Sequence, residues 1–105
     1  MNRELLFTSD PIDENALLKK RALPTNMGAV IYFIGAVRDL ESGAPIKAID
    51  YEAFEKMAQH QFELLFDQIE KRWPINSIRL VHRIGKVNAG EASLWVEVIA
   101  PHRGE

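Results

Sequence analysis

The chain has 105 residues, enough for one domain spanning 1–105, and at this size it buries somewhat less than the roughly 68–70% of surface expected at about 150 residues. With 13 basic against 15 acidic residues its net charge is −2, which excludes a global field drawing it onto nucleic acid or an anionic membrane. Cysteine is absent, excluding disulfides, thiolate metal sites and a cysteine nucleophile.

The opening stretch, "MNRELLFTSDPIDEN", carries acids where a signal peptide needs an apolar run. No stretch approaches the roughly 18 consecutive apolar residues of a membrane span, so a soluble, cytoplasmic protein is expected. "RELLFTS" (3–9) reads as a short strand. "DPIDENALLKKRAL" (10–23) reads as a helix with Asp10 as its cap, Pro11 in the first turn and Lys19, Lys20 and Arg21 near its negative end. "GAVIYFIGAVR" (28–38) is apolar at nearly every position, which predicts a strand covered on both faces. Gly35 within it predicts a bulge or a close backbone approach.

"DLESGAP" (39–45) reads as a mobile loop, and "IKAIDYEAF" (46–54) as a second strand. "EKMAQHQFELLFDQIEKRWP" (55–74) is the clearest helix: Ala58, Phe62, Leu65, Phe66, Ile69 and Trp73 recur at helical spacing. His60, Glu63, Asp67, Glu70 and Lys71 take its wet face. Two strands follow, 76–87 and 91–101, joined by the hairpin-like turn "NAGE". The order β-α-β-β-α-β-β predicts an α+β two-layer domain with a mostly antiparallel sheet. By that alternation a helix covering the last hairpin would come next.

Positive groups cluster near strand ends: Arg38, the pair His82-Arg83, and the pair His102-Arg103. A guanidinium fork matches phosphate or carboxylate oxygens, so two forks converging at one sheet end would hold an anion. A lone arginine is commonly a solvated or ion-paired surface residue. His82 alternates with Ile78, Leu80 and Ile84, which predicts a hydrogen-bonded histidine at the edge of the core. His102, beyond Pro101, is buried by nothing in the pattern, and His60 lies on the wet helix face. Three scattered histidines without cysteine do not make a zinc site. Neither GxGxxG nor GxxxxGK[ST] occurs, and Ser77 and Ser93 lack a nucleophile elbow. Tyr32, Phe33 and Tyr51 lack the basic face an RNA-stacking sheet needs. Asp50 and Glu52 share a strand face as solvated or ion-paired acids. The residues alone leave an α+β domain with a candidate anion site.

Taken together, "GAVIYFIGAVRD", "IDYEAFEKMA" and "RWPINSIRLVHRIGKVNAGEASLWVEVIAPHR" resemble the large, catalytic subunit of molybdopterin synthase over residues 28–103. The resemblance implies a hammerhead-like fold, usually a homodimer, and a sulfur transfer without metal or other cofactor. A small ubiquitin-like sulfur-carrier subunit inserts its C-terminal Gly-Gly thiocarboxylate into a pocket of the large subunit. Cyclic pyranopterin monophosphate then receives two sulfurs to form the molybdopterin dithiolene. By position, Arg38 matches the substrate-contacting arginine after the Gly-x-Val turn, and His102 and Arg103 match the family's His-Arg pair. Ala36 and Val37 flank the same contact, Ala36 through its backbone only. Arg38 and Arg103 are expected to bind phosphate, and His102 to orient substrate or move a proton.

Members of the family continue past His-Arg into a helix bearing a lysine and a "P-x-W-K"-like stretch bearing a second. Neither is matched before residue 105. Arginine stays protonated and cannot replace a lysine in acid–base work. The expectation is a C-terminally incomplete family domain with little synthase activity unless another chain supplies those amines, and with apolar residues of the final hairpin left open or covered by a second copy. The competing reading is a non-catalytic α+β interaction module, or a degenerate paralogue, whose sheet edge pairs with a partner strand.

Overall fold

A computed structural model describes residues 1–41, 44–45, 48–51 and 55–102. Strand β1 (Asn2–Thr8) leads into α1 (Glu14–Lys19), then β2 (Ala29–Ala36), followed by β3 (Leu40–Glu41), β4 (Ala44–Pro45) and β5 (Ala48–Tyr51). Helix α2 (Glu55–Arg72) precedes β6 (Ser77–Arg83), β7 (Gly85–Asn88) and β8 (Ala92–Ala100). The main sheet has the order β1-β6-β8-β2, with β1 parallel to β6 and the other neighbours antiparallel. Two small ladders, β3-β4 and β5-β7, stand outside it. The α+β class and its mostly antiparallel sheet are as expected. Among the described residues no helix is long and apolar enough to cross a membrane.

Helix α1 starts later than the sequence suggests. Asp13, not Asp10, is the cap: its Oδ1 accepts from the Ala16 amide at 3.1 Å. The Asp10 amide instead donates to Thr8 Oγ1 at 3.1 Å, and Pro11 lies before the helix. The helix also stops at Lys19 rather than near residue 23. Six residues make a marginal helix in isolation. Its last turn is held by the Arg79 guanidinium, which donates from Nη2 to the Leu17 carbonyl at 2.8 Å.

Helix α2 crosses the sheet above β1 and β6. Phe66 is wholly enclosed and forms the core with Ile78 and Leu80, against which Leu5, Phe62, Ile69, Leu94, Val96 and Val98 pack. Cross-strand register puts Ile78 opposite Val98, and Leu80 opposite Val96, so the even positions of β6 and β8 face the helix. The helix stripe is narrower than its periodicity predicts, for Leu65 and Trp73 remain substantially exposed. Its supposedly wet face is partly engaged: Arg3 of β1 reaches Glu63 at 3.2 Å and Asp67 and Glu70 at 2.7 Å. These carboxylates, Glu70 first and then Asp67, raise the Arg3 guanidinium further above its ordinary range.

Strand β2 corrects a second expectation. It is an edge strand, and Ile31, Phe33 and Ile34 are 52, 60 and 46% exposed. The reason is coverage rather than composition, because no residue of β2 belongs to the core cluster beneath α2. The final hairpin is the better covered part, with Trp95 and Ile99 buried. A bulge does occur at Gly35: register moves from Gly35↔Leu94 to Ala36↔Ala92, leaving Ser93 as the extra residue. Ser93 Oγ donates to the Gly35 carbonyl at 3.3 Å.

The strand expected over 76–87 is broken. Gly85 has φ +79, a conformation that side chains other than glycine rarely take, and there the chain leaves the main sheet. Strand β7 pairs with β5 instead of extending β6. Thus β6 and β8 are antiparallel neighbours, but β7 and the 88–91 turn come between them. The expected 39–45 loop contains the β3-β4 ladder, Leu40 opposite Pro45 and Glu41 opposite Ala44. Its positions 42–43 lie outside the described residues, as do 46–47 and 52–54 of the expected strand 46–54, including Glu52.

Candidate functional site

Two ends of the β2-β8 ladder carry the residues singled out from the sequence. At one end β2 finishes at Ala36, which is exposed, followed by buried Val37 and exposed Arg38. Val37 is clamped on both sides, its amide donating to the Glu91 carbonyl at 3.0 Å and its carbonyl accepting from the Gly90 amide at 2.8 Å. Gly90, at φ +86, lets the turn close against it. Arg38 therefore projects from a backbone pinned one residue earlier.

His102 belongs to the other end. The Gly28 amide donates to the Ala100 carbonyl at 3.1 Å, and a Cβ on Gly28 would stand 2.5 Å from the Pro101 carbonyl oxygen. Exposed His102 follows directly, and Arg103 lies outside the described residues. At about 3.3 Å per residue, the run from Gly28 to Arg38 separates Arg38 from His102 by roughly 30 Å. Within one chain Arg38 and His102 therefore do not share a cleft.

His82 and Arg83 point to opposite faces of β6. The His82 ring is half-buried on the α2 face, with centroids 5.9 Å from Phe7 and 6.2 Å from Phe62. Arg83 is 7% exposed on the other face, with Nη1 3.0 Å from Glu91 Oε2 and Nη2 donating to the Lys86 carbonyl at 3.3 Å. His60 is exposed on α2.

Sequence reasoning missed a buried ionic cluster. Glu97, 1% exposed, accepts from Arg79 Nε at 2.7 Å and Nη2 at 2.8 Å, and from the Tyr32 hydroxyl at 2.8 Å. Arg79 also lies over the Trp95 ring, 5.0 Å from its centroid. Burial pushes the Glu97 carboxyl upward, yet the Arg79 and Tyr32 hydrogen bonds outweigh it and hold the group below the usual carboxylate range. For Tyr32, burial leads in raising the phenol. The signal was an acid alternating with Trp95 and Ile99 in an apolar strand, which demands a cation directly across. Arg79 is that residue.

This cluster edges a recess of about 340 Å³ lined by Asn2, Lys20, Asn76, Ser77, Arg79 and Glu97 among others. Neither Arg38 nor His102 lines it. The lining cation that faces Glu97, Arg79, is committed to structure, bonded to Glu97 and, through Leu17, to α1. Among the described residues no three His, Asp or Glu side chains gather as a metal site requires.

The family model described as MoaE protein matches residues 7–105. The chain belongs to the MoaE family. It is 35% identical over 97 residues to the molybdopterin synthase catalytic subunit of Bacillus subtilis, covering 92% of this chain and 61% of that relative. This MoaE-family chain thus spans about six-tenths of that relative's length. Among solved structures, molybdopterin synthase from Staphylococcus aureus superposes with a TM-score of 0.81 at 28% identity, covering 94% of this chain and 72% of that one. A Helicobacter pylori complex of subunits 1 and 2 of molybdopterin-converting factor shares the fold, with a TM-score of 0.75 at 23% identity over 95% of this chain and 67% of that one.

Proposed function

We propose that this MoaE-family domain acts as the large subunit of a molybdopterin synthase in the cytoplasm. It receives the thiocarboxylated Gly-Gly end of a small ubiquitin-like sulfur carrier and directs its sulfur to cyclic pyranopterin monophosphate, giving the dithiolene of molybdopterin. The observation that carries this reading is the family match over residues 7–105 with Arg38 presented, exposed, just beyond a pinned backbone. Such a guanidinium stays protonated and offers two parallel donors to a phosphate. His102, exposed, orients substrate or moves a proton, with Arg103 as a second fork. Ala36, exposed, offers its backbone beside Arg38, while Val37, whose amide and carbonyl are both engaged by the neighbouring turn, holds that backbone in place.

Arg38 and His102 stand at opposite ends of the ladder, so a site using both takes Arg38 from one copy and His102-Arg103 from another. This supports the homodimer. Binding of cyclic pyranopterin monophosphate, measured by titration calorimetry, is expected for wild type and lost in Arg38→Ala and His102→Ala. Mixing those two variants rebuilds one intact site in each mixed dimer if the site is shared, and with random exchange of copies restores about a quarter of the binding capacity. Failure of the mixed dimers to bind would overturn the shared arrangement.

The rival reading, a non-catalytic interaction module, draws on the open β2 edge with Ile31 and Phe33 exposed. It predicts no pterin binding by wild type or any variant.

A further inference from the structure

Arg83 poses an energetic problem. A guanidinium 7% exposed should have its donors satisfied, yet its Nε and Nη1 are both buried without a hydrogen-bond partner among the described residues. Its contacts are the Glu91 carboxylate, 3.0 Å from Nη1, and the Lys86 carbonyl. An incompletely satisfied buried cation gives poor return in stability, since replacing such a pair by apolar groups is often neutral or stabilising. What the pair does achieve is geometric. Glu91 closes the turn that clamps Val37.

The chain of contacts is short. Glu91 Oε2 meets Arg83, while Oε1 accepts from the Asn88 amide at 3.0 Å and so closes the turn upon itself. The Glu91 amide donates to the Asn88 carbonyl at 3.1 Å. From that braced turn, the Glu91 carbonyl and Gly90 amide take both polar groups of Val37. Arg38 is the next residue. Arg83, followed by the Asn88 amide, also holds the Glu91 carboxyl below the usual carboxylate range, so the pair is charged at neutral pH.

We propose that Arg83 and Glu91 are positioning residues: their ion pair rigidifies the 88–91 turn and thereby sets the direction in which Arg38 is presented to an anionic ligand. This rests on the reading of Arg38 as a phosphate-binding group. Arg83 itself, buried from solvent, touches no substrate.

Two measurements on the intact chain test it. Glu91→Gln keeps the shape and the acceptor for Asn88 but removes the charge that meets Arg83. Arg83→Lys keeps the charge and loses the fork. Amide hydrogen exchange at Val37 and Gly90 is expected to quicken about tenfold in both variants, as for the weakening of one buried ion pair, while that of Gly28 at the far end of the ladder stays unchanged. Unchanged exchange at Val37 and Gly90 would overturn the proposal. In the second measurement, Glu91→Gln weakens cyclic pyranopterin monophosphate binding about five- to tenfold in wild type and not at all in an Arg38→Ala background. An equal loss in both backgrounds would show a general structural effect and also overturn it. If wild type and Arg38→Ala bind alike, the phosphate-binding reading of Arg38 fails. The exchange result alone then decides whether the pair holds the turn.

Discussion

Beneath α2, Ile78 and Leu80 of β6 are closed off from water and Leu94, Val96 and Val98 of β8 partly so; on the next strand across the same sheet face, Ile31 and Phe33 of β2 lie open. The two regions are alike in composition, and "GAVIYFIGAV" is if anything the more apolar. The difference is that one amphipathic helix has a finite width. It covers β1, β6 and the near side of β8 and reaches no further. Apolar character measures what a strand could bury, whereas burial depends on which element lies above it.

The largest expected contrast comes from truncating one aromatic in each region. Phe66→Ala removes a wholly enclosed ring and should cost about 3–5 kcal/mol in urea unfolding. Arg79→Met follows, on the face away from α2, by leaving Glu97 buried without its cation, at about 3–5 kcal/mol. Its pH dependence gives a signed check. In the native protein Glu97 is held below its ordinary 4.5, so its stabilisation is present above that value and is lost as pH falls through the depressed pKa. In Arg79→Met, burial dominates and raises the carboxyl, so acidification should recover stability instead. Urea melts at neutral and acidic pH distinguish the two slopes.

Gly28→Ala probes the His102 end of β2. Its new Cβ would meet the Pro101 carbonyl oxygen, a backbone atom, at 2.5 Å, with an expected cost of about 1–3 kcal/mol in thermal unfolding. The smallest effect is assigned to Phe33→Ala, within about 0.5 kcal/mol in dilute solution, as befits an exposed side chain. A loss as large as that of Phe66→Ala would mean that a second copy or another partner covers β2 in solution, and would dissolve the contrast between the two regions.

Much of the fold was legible beforehand because periodicity reports a face. Helix α2 and strands β2, β6 and β8 all lie within the stretches predicted for them. The misreadings have local causes. Asp10 and Asp13 are both competent caps, and only the position of Ala16's amide selects Asp13. Gly85 looked like one glycine among several, yet its positive φ turns the chain out of the sheet. The buried Glu97 could have been flagged by its alternation with Trp95 and Ile99. Arg83–Glu91 could not, since the partners approach only after β7 has folded back.

The candidate site divides in the same way. Residue type sufficed to single out Arg38, His102 and Arg103, because a guanidinium or imidazole brings its chemistry wherever it stands. The separation of Arg38 from His102 did not follow from order along the chain. It follows from the antiparallel pairing of β2 with β8, which sends the segment after β2 and the segment after β8 to opposite ends of the ladder. Local side-chain chemistry and short-range periodicity are properties of neighbours in sequence, and they were readable as such. Which strand lies at the edge, which carboxylate meets which guanidinium, and how far apart two strand ends fall are set by contacts between distant residues, and only the folded chain supplies those.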